Sequence, residues 1–240
     1  MLFTPVNHEG PVQNTKFFSR ANFKLLTGIM HECKLPAHSH IFMEGESSDK
    51  LYFLYSGRVK ITKSTENGKE FVLYVFREGD MFGHLDPFHD AKQSFSAKTT
   101  EDCVLGILHR TDLELLLWQH SQLSLEMMKW MGLMHRITQT KFRDLMLYGK
   151  PGALCSTLIR LANCYGVPQQ GGSILINLKL THSELADYIG STRESVNRML
   201  NDLKRKQVLA FPDGYIRIDD IGYLKDVCSC ENCPVEICRI

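Results

Sequence analysis

The chain has 240 residues, 43% of them apolar and 23% charged, with a formal net charge of +1. This is ordinary globular composition, enough for one large domain or two modest ones. No run approaches the ~20 apolar residues that span a bilayer, and MLFTPVNHEGPVQNTKFFSR lacks the pattern of a signal peptide, so a cytoplasmic protein with no membrane partner is expected.

Residues 40–110 read as short strands between regularly placed glycines. Gly45, Gly57, Gly68 and Gly79 are separated by 12, 11 and 11 residues, the spacing of consecutive hairpins. Asn67-Gly68 supplies a turn whose central residues tolerate positive φ. LYFLYS, RVKIT and FVLYVF lie between the glycines and are rich in aromatic and β-branched side chains. An all-β sandwich or roll is predicted.

From about Thr111 to Tyr148 the period becomes helical. Leu123, Met127, Trp130, Met134, Ile137, Lys141, Asp144 and Tyr148 alternate steps of four and three, the signature of a coiled-coil seam with a second copy. A single amphipathic helix packed on its own domain is the alternative. The seam turns polar at Lys141 and Asp144, so something other than apolar packing happens there. Gly149-Lys150-Pro151-Gly152 then breaks the helix. ALCSTLIRLANCYG reads as a second helix and SILINLKL as a strand.

Thr181-His182-Ser183-Glu184 is a capping box opening the short helix LADYI, which stops at Gly190. Thr192 can cap a longer helix, RESVNRMLNDLKRK. Two helices joined by a tight glycine turn, the second basic at both ends, describe a helix-turn-helix. Its first turn would present Arg193, Glu194, Asn197 and Arg198 to the major groove. The arginines can donate to guanine N7 and O6, and Glu194 can accept from cytosine N4. Lys204, Arg205 and Lys206 suit backbone phosphates, and VLAFPDGYIRI makes a wing around Pro212-Asp213-Gly214. Charge follows the same plan. Residues 1–149 hold seventeen basic and seventeen acidic side chains, 150–217 nine and five, and 218–240 two and five. A basic segment between neutral and acidic ones suits a domain that meets phosphate.

THSELADYIGSTRESVNRMLNDLKRK resembles the helix-turn-helix of CRP/FNR regulators, and the glycine-punctuated N-terminus resembles their cyclic-nucleotide-type β-roll. The resemblance covers nearly the whole chain. It implies an α+β protein divided into a β-roll (1–118), a dimerisation helix (119–148), a winged helix-turn-helix (149–226) and a cysteine-rich tail (227–240). It further implies a homodimer reading a palindrome in double-stranded DNA and contacting RNA polymerase. Arg193-Glu194 followed by Arg198 matches the CRP branch, which suggests a TGTGA-type half-site. Thr192 joins these residues as a DNA-binding candidate.

Cyclic-nucleotide binders of this family carry a phenylalanine-glycine-glutamate motif followed by an arginine-serine pair. This chain has Phe82-Gly83-His84-Leu85 and then Gln93-Ser94-Phe95-Ser96. Without the guanidinium fork a buried phosphate lacks its bidentate partner, so cyclic-nucleotide control is not expected. No nucleophile–base arrangement or glycine-rich phosphate loop appears, and no enzymatic activity is expected.

Eight cysteines fall at 33, 103, 155, 164, 228, 230, 233 and 238. Four scatter through apolar contexts and read as buried, inert thiols. Four crowd into the tail, with Cys230, Cys233 and Cys238 spaced C-x-x-C-x-x-x-x-C. Soft thiolates in a reducing compartment favour an iron–sulfur cluster or zinc, and reversible disulfide switching is a further reading. CENCPVEICRI at the end of such a chain resembles the Bacillus-type Fnr regulators, which bind one 4Fe–4S cluster through three C-terminal cysteines and an aspartate. That resemblance places the cysteine ligands on Cys230, Cys233 and Cys238 and, through KFRDLMLYGK, the oxygen ligand on Asp144, with Cys228 as the alternative fourth ligand. It implies an oxygen-responsive regulator of anaerobic metabolism genes. The alternative is a CRP-like regulator with structural zinc or a thiol switch, answering a small effector in the β-roll.

Overall fold

The computed structural model describes residues 12–66, 68–84 and 92–240. They divide into two compact units, Gln13–Met134 and His135–Ile240, the second taking in Val12. Both mix helices with antiparallel sheets, and the chain is α+β.

The first unit opens with α1 (Arg20–Gly28), whose N-cap Ser19 accepts from the Asn22 N–H. Eight strands follow: β1 (His31–Leu35), β2 (His40–Phe42), β3 (Lys50–Ser56), β4 (Arg58–Ser64), β5 (Glu70–Arg77), β6 (Met81–Gly83), β7 (Ser96–Thr99) and β8 (Cys103–His109). They pair as two four-stranded sheets ordered β1-β8-β3-β6 and β2-β7-β4-β5. Inward side chains of both sheets, among them Leu54, Leu105, Val59, Ile61 and Ala97, make one core. Within it Tyr52, Phe82 and Phe76 stack with centroids 5.3 and 5.2 Å apart. A second core lies on the other face of the first sheet, where Leu51, Phe53, Met81 and Leu108 meet Leu26 of α1 and Leu113 of α2 (Arg110–Gln119).

The regular glycines mark something other than consecutive hairpins. Only Gly68 sits between paired neighbours, in the β4–β5 hairpin; its companion Asn67 lies outside the described residues. Gly45, Gly57 and Gly79 stand where the chain leaves one sheet for the other, because such corners need a reversal with positive φ. Gly57 has φ 96°, and a Cβ there would sit 2.5 Å from the Asp102 carbonyl oxygen. Gly57→Ala is therefore expected to destabilise this unit by at least ~1–3 kcal/mol, read as a lower thermal midpoint.

The helical run predicted from Thr111 is two helices, because His120 (φ −129°, ψ 84°) closes α2. α3 spans Ser121–Tyr165 and is interrupted at Gly149 (φ 59°, ψ −162°), with Pro151 just beyond. The expected seam does not face outward. Leu123, Met127 and Trp130 are buried in the core of their own unit, against Leu51, Phe53 and Leu113, and Ile137 and Asp144 are each 2% exposed. Burying a large apolar side chain contributes about 1.5–3 kcal/mol, so this stripe is committed to the fold of one chain. A different stripe stays exposed: Leu125, Met128, Gly132, His135, Gln139, Phe142 and Met146. It too alternates steps of three and four.

After Gly149 the second unit continues with the rest of α3, then β9 (Gly166–Pro168), β10 (Ile174–Ile176), α4 (His182–Tyr188), α5 (Arg193–Arg205), β11 (Leu209–Ala210), β12 (Ile216–Ile218) and α6 (Ile221–Val227). The strand expected over SILINLKL is limited to Ile174–Ile176. The sheet order is β11-β12-β10-β9, all antiparallel. Among the described residues no helix is long and apolar enough to cross a membrane.

Candidate functional site

Two features of the second unit carry chemistry: the exposed face of α5 and a pocket lined by cysteines.

The capping box at α4 is complete. Glu184 N–H donates to the Thr181 hydroxyl at 3.1 Å, and Thr181 N–H donates to the Glu184 carboxylate at 2.8 Å. Gly190 takes φ 59° in the turn, and the Thr192 hydroxyl caps α5 by accepting from Ser195 N–H. Leu185 and Ala186 of α4 and Val196, Leu200 and Leu203 of α5 are buried. That packing leaves Arg193, Glu194, Asn197, Arg198 and Lys204 exposed, on an arc of about 140° of α5 beside its buried stripe. Its own backbone N–H and the Thr192 hydroxyl hold the Glu194 carboxyl below its usual range, so it is an acceptor at neutral pH. Arg205 and Lys206 are engaged by Asp202 at 3.0 and 3.1 Å, and Lys206 also donates to the Tyr223 hydroxyl at 2.7 Å. β11 and β12, joined by a 3₁₀ turn at Pro212–Gly214, form the wing.

The pocket is small and partly open to solvent; Thr140, Arg143, Asp144, Ser156, Ile159, Arg160, Cys228, Cys230, Glu231, Cys233 and Cys238 line it. Three elements build it: α3 before Gly149, α3 after Gly149, and the segment beyond α6. Asp144, 2% exposed, has both oxygens engaged. Arg143 Nη2 and Nε donate to Oδ1 at 2.6 and 3.1 Å, and Arg160 Nη2 donates to Oδ2 at 2.9 Å. Arg160 also donates to the Thr140 hydroxyl and, through Nη1, to the Ile237 carbonyl, both at 3.2 Å. Asn163 donates to the Cys238 carbonyl at 2.7 Å. Arg143 pairs with Glu231.

The four tail cysteines are free thiols. Asn232 N–H points at Cys230 Sγ at 3.4 Å. Cys228 is 2% exposed, and its thiol donates to the Leu224 carbonyl at 3.3 Å; burial pushes it up to about 12. Burial likewise pushes Cys238 up to about 11. Soft thiols beside a buried carboxylate fit an iron–sulfur or zinc centre as a donor set. They are not drawn together as ligands: among the described residues no three His, Cys, Asp or Glu side chains are placed to hold a metal ion. Arg143, Arg160 and Asn163 were not foreseen. Arg160 left one legible trace, a charge inside the otherwise apolar stretch ALCSTLIRLANCYG.

In the first unit, Phe82 belongs to the aromatic stack and the His84 carbonyl accepts from the Ser48 hydroxyl at 2.9 Å; Leu85 lies outside the described residues. Gln93 is 5% exposed and its backbone is bonded to Glu46 and Gly45.

Comparison with known proteins places this architecture. Residues 32–120 match the cyclic nucleotide-binding domain and residues 152–227 the Crp-like helix-turn-helix domain. The chain is 42% identical over 220 residues to the "Anaerobic regulatory protein" of Bacillus subtilis, covering 91% of this chain and 92% of that one. It is 29% identical over 194 residues to a CRP-like cAMP-activated global transcriptional regulator of Mycobacterium tuberculosis, covering 81% and 83%. Among solved structures, a CooA mutant from Carboxydothermus hydrogenoformans superposes with a TM-score of 0.72 at 19% identity, over 90% of this chain and 100% of that one. The c-di-GMP responsive regulator CLP of Xanthomonas campestris gives 0.70 at 19% identity, over 84% and 100%. The chain therefore belongs to the CRP/FNR family of DNA-binding transcription regulators, which are not enzymes.

Proposed function

We propose that this protein is an oxygen-responsive regulator of anaerobic metabolism genes. As a cytoplasmic homodimer it binds a palindromic TGTGA-like site and contacts RNA polymerase, under control of a 4Fe–4S cluster held by Cys230, Cys233, Cys238 and Asp144. The observation that carries this reading is convergence: the four tail cysteines, Cys228 among them, and the Asp144 carboxylate of the long helix line one pocket. The similarity to the Bacillus anaerobic regulatory protein supports the role in anaerobic gene control. When bound, the cluster supplies a thiolate-anchored iron centre open to dioxygen. Asp144 is the harder and more exchangeable ligand, and Cys228, already bonded to α6, is its neighbour. Ligation by both the tail and Asp144 joins the chain's end to the end of the dimerisation helix (119–148). Release of Asp144 alters the spacing of the two recognition helices in the dimer. His84 and Gln93, in place of the glutamate that takes the ribose hydroxyl and the arginine that pairs with the cyclic phosphate, leave the β-roll (1–118) as scaffold. The winged unit (149–226) reads DNA through Thr192, Arg193, Glu194, Asn197 and Arg198, with Lys204 on phosphate.

Purification without oxygen tests this. A brown, air-bleached protein with equal iron and acid-labile sulfide is expected; stoichiometric zinc without sulfide overturns the cluster. For the DNA face, Arg193→Ala is expected to cost ~1–3 kcal/mol on the palindrome and relax one base position, measured by competition between site variants. Equal loss on random DNA contradicts base reading by Arg193.

A further inference from the structure

We propose that Arg160 is a latch on Asp144 that competes with iron for the same carboxylate and so sets how readily the cluster is lost; this rests on the cluster reading above. The two oxygens of Asp144 are held unequally. Oδ1 takes two N–H groups from Arg143, whereas Oδ2 takes one, from Arg160. Oδ2 is thus the oxygen that exchanges, and Arg160 is the group displaced. Arg160 is 4% exposed and permanently charged, and a buried guanidinium parted from its carboxylate is strongly unfavourable, while Asp144 keeps Arg143. In the cluster-free protein the pair therefore satisfies both groups. The same guanidinium holds Thr140 and the Ile237 carbonyl, so it fastens the tail next to Cys238 while Asp144 is off iron. On ligation Arg160 keeps those two acceptors, which lowers the cost of giving up the carboxylate. By linkage, whatever stabilises Asp144 on Arg160 is subtracted from its binding to iron.

The test is Arg160→Gln, which removes the charge but retains a donor for Ile237, compared with wild type in two preparations. In the cluster-free protein the thermal midpoint is expected to fall by about 6–12 °C, as for a broken buried pair. In the cluster-loaded protein exposed to air, bleaching is expected to slow by about fivefold or more. The opposite signs identify competition, since an arginine that merely supported the fold would lower the midpoint and hasten bleaching. Arg160→Lys, with charge but no fork, is expected to bleach at an intermediate rate, and it must still outlast wild type if Arg160→Gln does not fold. In an Asp144→Asn background, Arg160→Gln is expected to leave the bleaching rate unchanged. A variant that bleaches at the wild-type rate or faster overturns the latch alone. A wild-type protein that takes up no iron and sulfide overturns the cluster reading, and the competition with it.

Discussion

Cys233→Ser is expected to abolish the cluster outright, leaving oxygen-free protein colourless with iron and sulfide near zero. The same result is expected for Cys230→Ser and Cys238→Ser, because each removes one of three soft anchors and a hydroxyl is a poor ligand for iron in this setting. The informative contrast lies at the fourth position. Cys228→Ala is expected to retain full iron and sulfide, because its thiol is 2% exposed and bonded back to the Leu224 carbonyl of α6. Asp144→Ala is expected to yield a cluster that forms but is lost faster in air, since three thiolates still anchor it. The reverse pattern, with Cys228→Ala destroying the cluster and Asp144→Ala sparing it, transfers the fourth ligand to Cys228. Iron and sulfide assays on parallel oxygen-free preparations distinguish the two.

Local rules made much of this molecule legible, and long-range packing hid the rest. The α4–α5 unit was readable because each signal is written within a few residues: a capping box, a glycine with positive φ, a second cap and a basic helix. The corner glycines were readable as turns but not as sheet switches, because pairing partners are distant in sequence. α1 and α6, nine and seven residues long, gave no period long enough to detect. The tail cysteines stood out by spacing, yet the guanidinium pair on Asp144 could not be seen, since Arg143 is adjacent and Arg160 lies one helix segment further on. The long helix misled because large apolar side chains lie on two of its faces. Leu123 and Leu125 are two residues apart, roughly 200° around a helix, so both stripes satisfy a heptad on opposite faces. A helix apolar on two faces packs on two partners, and the bulkier stripe, with Leu123 and Trp130, went to the chain's own core.

The other stripe is then the face available to a second copy, and Phe142→Asp is expected to convert the dimer to a folded monomer. Phe142, Met128 and Met146 are 64, 67 and 63% exposed within one chain, apolar enough to need cover in a protein whose family binds DNA as dimers. In a two-fold interface one substitution acts twice. At about 2 kcal/mol or more for a central apolar anchor, the dimer dissociation constant is expected to rise by about 10³-fold. Sedimentation over a concentration series reads this directly, and circular dichroism checks that helix content is kept. Affinity for the full palindrome is expected to fall towards that for an isolated half-site, because the two recognition helices no longer arrive together. Met127→Asp makes the contrast: on the inward stripe it places a carboxylate in the core beside Leu123 and Trp130, so it is expected to lower the thermal midpoint of the first unit. If Phe142→Asp leaves the dimer intact while Met127→Asp yields a stable monomer, the stripes have been assigned the wrong way round.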